Sequence, residues 1–258
     1  MCELFGASSD TPLDLTGPLT AFRERGGRVA QHADGWGIAY AVSGRFKVCK
    51  EPLPAAQSER FLHCARAARS TLLLAHVRKA TFPRVNAPEN THPFTRQCCA
   101  REWVFAHNGT VAGMLAEPEL TPDEPGRLEG GTDSEYAFHV LMDRLSRRFC
   151  DPHRDTDLAE LERTVARIAA HGRFNFLLSD GVHLFAYGHD KLHERVWETS
   201  DGGTAALVAT HPLDDGPWTP FAAGDLRVYR AGRLVGRRMV QPASSDHVRA
   251  TSARWLSA

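Results

Sequence analysis

The sequence predicts an α+β fold in which antiparallel sheets carry a helical layer. Strand signals come first, helical periodicity follows over 133–149 and 157–170, and strand signals return after Gly172. Alternating βαβ units would interleave the two kinds of signal, so this order argues against them. Tight-turn pairs at Ser43-Gly44, Asp180-Gly181 and Ala231-Gly232 join neighbouring strands as antiparallel hairpins require. No glycine-rich phosphate loop is present; Gly35-Trp36-Gly37 lacks a third glycine and does not open a helix.

Residues 1–8 read as a strand broken by Gly6 and stopped by Ser8-Ser9-Asp10-Thr11-Pro12. Leu13, Leu15, Leu19 and Phe22 then suggest a short helix ending at Gly26-Gly27. Residues 35–42 and 45–50 form a hairpin, and 58–68 a helix with Phe61, Leu62 and Ala65 on one side. Residues 71–77 are continuously apolar, as in a strand covered on both faces. A loop rich in Pro and Asn runs to Pro93, and a strand over 102–107 is ended by Asn108-Gly109, a turn signal. Residues 116–131 carry Pro118, Pro122, Pro125, Gly126, Gly130 and Gly131 among acids, and read as a mobile surface loop or lid. In the 133–149 helix Ala137, Phe138, Leu141 and Leu145 share a face, and the acidic start suits the helix dipole. Strands over 174–179, 183–187, 205–210, 226–229 and 234–236 complete the series, and the polar tail 244–258 is expected to be loosely ordered. No repeat or linker divides the chain, so one domain over 1–258 is expected.

Composition excludes several classes. Thirty-one basic residues balance 31 acidic ones, so no electrostatic argument favours nucleic acid or an anionic membrane. No apolar stretch approaches the roughly 18 residues of a membrane span, and no secretion signal opens the chain. A cytoplasmic protein is expected. Cys2, Cys49, Cys64, Cys98, Cys99 and Cys150 show no C-x-x-C pair, so neither a zinc finger nor a disulfide framework is expected.

Chemistry concentrates at the start. Trimming of Met1 would leave Cys2 with a free α-amine beside its own thiol. An α-amine titrates near about 7.7–8.0 and can act as base to the thiol nucleophile, so one residue supplies both. Four polar clusters stand at strand ends: Gln31-His32-Ala33-Asp34-Gly35-Trp36-Gly37, His76-Val77-Arg78-Lys79-Ala80-Thr81, Asn90-Thr91-His92-Pro93-Phe94, and Ala106-His107-Asn108-Gly109-Thr110. Gly131-Thr132-Asp133-Ser134-Glu135 follows the last of these. Each has an ordinary structural explanation: Arg78 as a strand-end ion pair, Asn108-Gly109 as a hairpin turn, and Asp133 as a helix start capped by Thr132. His76, His92 and His107 lack a close i, i+4 pair or companion cysteines, which favours bracing histidines over metal ligands. No metal or cofactor is expected.

Taken together, Met-Cys at the start, H-x-R-x-A-T, H-P-F, H-N-G and T-D-S-E resemble the class II glutamine amidotransferases, members of the N-terminal-nucleophile hydrolases. The resemblance covers roughly residues 1–215. H-x-D-G-W-G and E-N-T-H-P-F look most like a stand-alone subgroup called YafJ-like, which is also similar to γ-glutamyl hydrolases of glutathione and ergothioneine metabolism. It implies a four-layer αββα sandwich of two antiparallel sheets between helical layers. It also implies that Cys2 attacks the side-chain amide of glutamine, that Asn108 and Gly109 form the oxyanion hole, and that Arg78 and Asp133 hold the substrate's α-carboxylate and α-ammonium. Thr81 and His92 would be further pocket residues. Lys79 departs from the many members that carry an aromatic residue after the arginine. Larger relatives append an ammonia-consuming synthase, and none is expected here.

Three functions follow. The first is a glutaminase-type amidotransferase domain that releases ammonia to a separate protein. The second is a γ-glutamyl hydrolase or peptidase acting on a γ-glutamyl small molecule, and the third a non-catalytic binding or regulatory module.

Overall fold

The computed structural model describes residues 2–80, 85–98, 100–146, 158–200 and 202–243. In the first strand, β1 (Glu3–Asp14), Phe5 and Ala7 on one face and Leu4 and Gly6 on the other are all buried. Successive strand side chains point to opposite faces, so this unbroken burial requires a packed layer on each side. The chain continues through α1 (Thr16–Glu24), β2 (Trp36–Val42), β3 (Arg45–Glu51), α2 (Glu59–Ala67) and β4 (Arg69–Val77). After β5 (Phe94–Cys98) and β6 (Arg101–Thr110) come α3 (Asp133–Ser146) and α4 (Leu158–Ala169). The remaining strands are β7 (Arg173–Ser179), β8 (His183–Gly188), β9 (His193–Glu198), β10 (Thr204–Ala209), β11 (Thr219–Pro220), β12 (Asp225–Arg230) and β13 (Arg233–Met239).

Two sheets result, ordered β11-β9-β10-β1-β4-β2-β3 and β13-β12-β8-β7-β6-β5. Every pairing is antiparallel. Leu4, Ala39, Leu72 and Leu74 of the first sheet meet Val104, Ala106, Leu177 and Leu184 of the second. On the outer face of the first sheet, Leu19, Phe22, Phe61 and Ala65 from α1 and α2 cover Phe5, Ile38, Leu73 and Ala75. On the outer face of the second, Phe138, Leu141, Val165 and Ile168 from α3 and α4 cover Phe105, Phe174 and Phe176. Three cores between four layers make the αββα sandwich that the resemblance implies. α3 buries the predicted stripe of Ala137, Phe138, Leu141 and Leu145, whereas α2 buries Phe61 and Ala65 with Cys64 and leaves Leu62 half-buried; burying such a stripe against a sheet is the main drive to form the helix.

The structure corrects several expectations. Gly6 does not break β1, and the turn-rich segment 8–12 does not end it. A Cβ on Gly6 would lie 2.9 Å from Leu177 Cδ1, so this glycine lets the sheets close on each other. The Ser-Ser-Asp-Thr-Pro run is absorbed as an irregularity: pairing to β4 shifts between Ser8↔Leu72 and Leu13↔Ser70. Leu13 therefore belongs to β1, and α1 starts only at Thr16. Asn108-Gly109 is no turn either; it lies inside β6, opposite Asn175 and Phe174. β5, β9 and β11 were not anticipated. β5 is an edge strand whose outward residues are polar, so its sequence lacks the apolar run of a central strand. Residues 116–131 fold into short 3-10 turns held against α3: Arg144 Nη2 donates to Glu119 O at 2.6 Å, and the Asp123 N–H to the Asp143 carboxylate at 2.7 Å. Met1, Cys99, Cys150, the end of the predicted 133–149 helix and the tail 244–258 lie outside the described residues.

Candidate active site

Strand alternation assembles the site. Cys2 lies two residues before Leu4, on the face that packs against the second sheet. His76 and then Arg78 extend the inward row of Leu72 and Leu74 on β4. Asn108 extends Val104 and Ala106 on β6, and Thr210 extends Ala206 and Val208 on β10. Register gathers these row ends, since Leu4 sits opposite His76 and the Thr210 N–H donates to Leu4 O at 3.0 Å.

Cys2 is half-buried. Its Sγ accepts the Lys79 N–H at 3.3 Å and lies 3.5 Å from Lys79 O. Burial pushes the thiol up from its ordinary value, and the nearby Asp133 carboxylate adds to this; the Lys79 N–H and the Arg78 guanidinium act against it. The thiol therefore stays protonated at neutral pH.

Arg78 is 4% exposed and fixed through its backbone. Its N–H donates to Gly35 O at 2.7 Å, and its carbonyl accepts the Asp34 N–H at 3.0 Å. Its Nη1 donates to Val85 O at 3.2 Å and to Asn86 Oδ1 at 3.1 Å. The Asp34 carboxylate accepts the Ala80 N–H at 2.8 Å, so Asp34 and Gly35 of the H-x-D-G-W-G run hold the chain on both sides of the arginine. Lys79 Nζ donates to Gln31 Oε1 at 3.2 Å.

Asp133 opens α3, and capping is done by its neighbour: Thr132 Oγ1 accepts the Glu135 N–H at 3.1 Å. Asp133 Oδ2 accepts the Val111 N–H at 2.7 Å, which ties the helix start to the end of β6. Asn108 is buried, with Nδ2 at 3.4 Å from Thr210 Oγ1 and no partner for Oδ1 among the described residues. Gly109 is required sterically, because a Cβ there would lie 1.9 Å from Arg173 O.

Behind these groups His76, His92 and His107 are buried, and burial pulls all three below the ordinary histidine range, His76 to about 3. His107 Nε2 faces Arg173 O at 3.2 Å, and a carbonyl only accepts, so Nε2 carries the proton. Its Nδ1 then accepts from Ser134 Oγ at 2.8 Å. The His92 ring centroid lies 4.2 Å from that of His76 and 4.5 Å from that of Phe94, and neither His92 nitrogen has a hydrogen-bond partner among the described residues. Histidines held neutral in the fold take protons near pH 6.5 once unfolded, so they favour folding above that pH and lose stability as pH falls. Each that stays neutral in the fold contributes a loss of about 1.4 kcal/mol per pH unit below about 6.5. Denaturant unfolding at pH 6.5 and 5.0 should show this loss, reduced by about 2 kcal/mol in His92→Phe. An equal loss in both proteins would mean that His92 is not held neutral.

The structure thus brings Arg78 and Asp133 each within electrostatic reach of Cys2 and places Asn108 and Gly109 at the end of the facing strand β6. His92 packs against the rings of His76 and Phe94. Thr81 lies outside the described residues. Sequence reading assigned no role to Asp34, Ser134 or Thr210. Asp34 and Ser134 stood inside quoted motifs, and Thr210 was marked only by the two-residue alternation of β10. Among the described residues no group of three or more His, Cys, Asp or Glu is placed to hold a metal ion, and no helix is long and apolar enough to cross a membrane.

The family profile for class II glutamine amidotransferases matches residues 1–199. The chain belongs to that family. YafJ of Escherichia coli strain K12 is 32% identical over 266 residues, covering 91% of this chain and all of YafJ. The γ-glutamyl-hercynylcysteine sulfoxide hydrolase of Mycolicibacterium smegmatis is 29% identical, over 79% of this chain and 81% of that enzyme. Among solved structures, a "predicted glutamine amidotransferase" from Pseudomonas aeruginosa PA01 superposes with a TM-score of 0.68 at 28% identity, over 91% of this chain and the whole of the other. Membership of the class II amidotransferases assigns the N-terminal-nucleophile hydrolase fold and a small-molecule amide hydrolysis.

Proposed function

We propose that the protein hydrolyses the γ-amide of glutamine through Cys2 as an N-terminal nucleophile and releases ammonia for use by a separate protein. The observation that carries this reading is that a guanidinium, Arg78, and a carboxylate, Asp133, both lie within electrostatic reach of one thiol. An amino-acid substrate presents the complementary pair, an α-carboxylate and an α-ammonium. Holding both ends fixes its side-chain carbonyl relative to Sγ, and such positioning is a large part of catalysis. A thiol kept protonated by burial needs a base, and the α-amine of Cys2, exposed once Met1 is removed, is the base at hand.

In this mechanism the thiol proton passes to the α-amine as Sγ attacks the γ-carbonyl carbon. The oxyanion forms against the Asn108 side-chain N–H and the Gly109 backbone N–H. Collapse breaks the C–N bond, the α-ammonium returns its proton to the leaving nitrogen, and ammonia departs from a γ-glutamyl thioester. Water then attacks, deprotonated by the same amine, and glutamate leaves.

A second reading rests on the likeness to the M. smegmatis hydrolase. It keeps the γ-glutamyl half and the acyl-enzyme and replaces ammonia with a larger leaving amine. Turnover of glutamine and of γ-glutamyl-p-nitroanilide, compared as kcat/KM, separates the two.

The experiment that tests the proposal is intact mass before and after treatment with 6-diazo-5-oxo-norleucine. The expected result is a chain lacking Met1 that gains one adduct, mapped to Cys2. A chain that retains Met1 and takes no adduct would overturn the mechanism in favour of a binding module.

A further inference from the structure

We propose that Thr210 is a positioning residue that sets the orientation of the Asn108 amide and so makes its N–H available to the oxyanion. The inference rests on the oxyanion role given to Asn108 above. It starts from a hydrogen-bond balance. Thr210 Oγ1 already accepts the Leu4 N–H at 2.9 Å. With Asn108 Nδ2 also donating to it at 3.4 Å, the hydroxyl hydrogen has no acceptor among the described residues and Asn108 Oδ1, buried, has no donor. Two buried groups are then left unsatisfied. The two ends of a primary amide are nearly the same size, so hydrogen bonding decides which way it turns. Turned by half a revolution, Asn108 Oδ1 accepts the Thr210 hydroxyl hydrogen and Oγ1 keeps the Leu4 N–H. The Asn108 NH2 group, with its two N–H donors, is then the one group left without a protein partner among the described residues. A buried donor left over at the end of the strand rows that bring Cys2, Arg78 and Asn108 together is what an oxyanion site requires.

Placement supports the assignment. Thr210 is 2% exposed and follows the last residue of β10, opposite Leu4 on β1, two residues after Cys2. Asn108 belongs to the other sheet. The hydroxyl therefore links the strand of the nucleophile to the strand of the oxyanion donor, across the interface of the two sheets. Only Thr or Ser supplies a group of this size that accepts from one strand and donates to the other.

The test compares Thr210→Val, which keeps the shape and removes the hydroxyl, with Thr210→Ser, which restores it. Folding is checked first by thermal unfolding, and Thr210→Ser keeps the question open if the valine variant fails to fold. The expected result is a glutaminase kcat lowered about 10- to 100-fold in Thr210→Val with KM changed less than about threefold, and kcat restored to within about threefold in Thr210→Ser. In an Asn108→Ala background the same valine substitution should lower kcat no further, because it acts through Asn108. An unchanged kcat in Thr210→Val, an effect confined to KM, or full additivity with Asn108→Ala would overturn the proposal. If Thr210→Val does not fold, a kcat in Thr210→Ser that falls more than about tenfold would do so. Failure of the underlying reading looks different: wild-type hydrolysis would be absent or would survive Cys2→Ala.

Discussion

Cys2→Ala should yield a folded protein whose glutamine hydrolysis is lower by on the order of 10⁴-fold or more, with no detectable thioester. The size follows from the mechanism, since without Sγ no acyl-enzyme forms and the remaining groups stabilise charge for a poor nucleophile, water. Stability should shift by no more than about 1 kcal/mol. Cys2 is half-buried, and the alanine loses only weak sulfur contacts to the Lys79 backbone. Steady-state ammonia release together with thermal unfolding checks both halves. Wild-type turnover in a folded Cys2→Ala protein would remove the thiol from the reaction.

Arg78→Lys should raise KM for glutamine by about 10- to 100-fold, or about 1.4–2.8 kcal/mol of binding, with kcat falling less. Lysine keeps the charge but offers no planar pair of donors for a carboxylate. Lysine is also shorter, so its ammonium falls short of Val85 O and Asn86 Oδ1, which both accept from the outer guanidinium nitrogen Nη1 of Arg78. Part of the loss should therefore come from a loosened segment around Asn86. A substrate lacking the α-carboxylate distinguishes the two contributions, because wild type and Arg78→Lys should bind it with similar weakness. An unchanged KM for glutamine itself would place the carboxylate elsewhere.

Much of the site was legible because its residues stand beside strands whose character the sequence declares. The apolar run before His76 and Arg78 marks a strand covered on both faces, and Arg78 is the charge at its end. Asp133 was legible as a helix start, with Thr132 capping as expected. Asn108-Gly109 was misread locally. The pair has the composition of a tight turn, yet it continues β6, because the neighbouring strand passes so close that only glycine fits beside Arg173 O. Gly6 misled for the same reason: the cause of its small size is a pair of leucines far along the chain.

By itself, the sequence determined that antiparallel strands carry a helical layer, that the strand before His76 is covered on both faces, which face the helix from Asp133 buries, and the residue types able to do acyl-transfer chemistry. These follow from periodicity and side-chain chemistry, which are local. The tertiary structure alone decided which row ends meet. It set β1 between β10 and β4, and so put Thr210 and His76 on either side of Leu4 and brought Asn108 across from the facing sheet. Register between strands distant in sequence is fixed by packing of whole faces, in which a shift of one residue would turn every inward side chain outward. No stretch of local sequence carries that information.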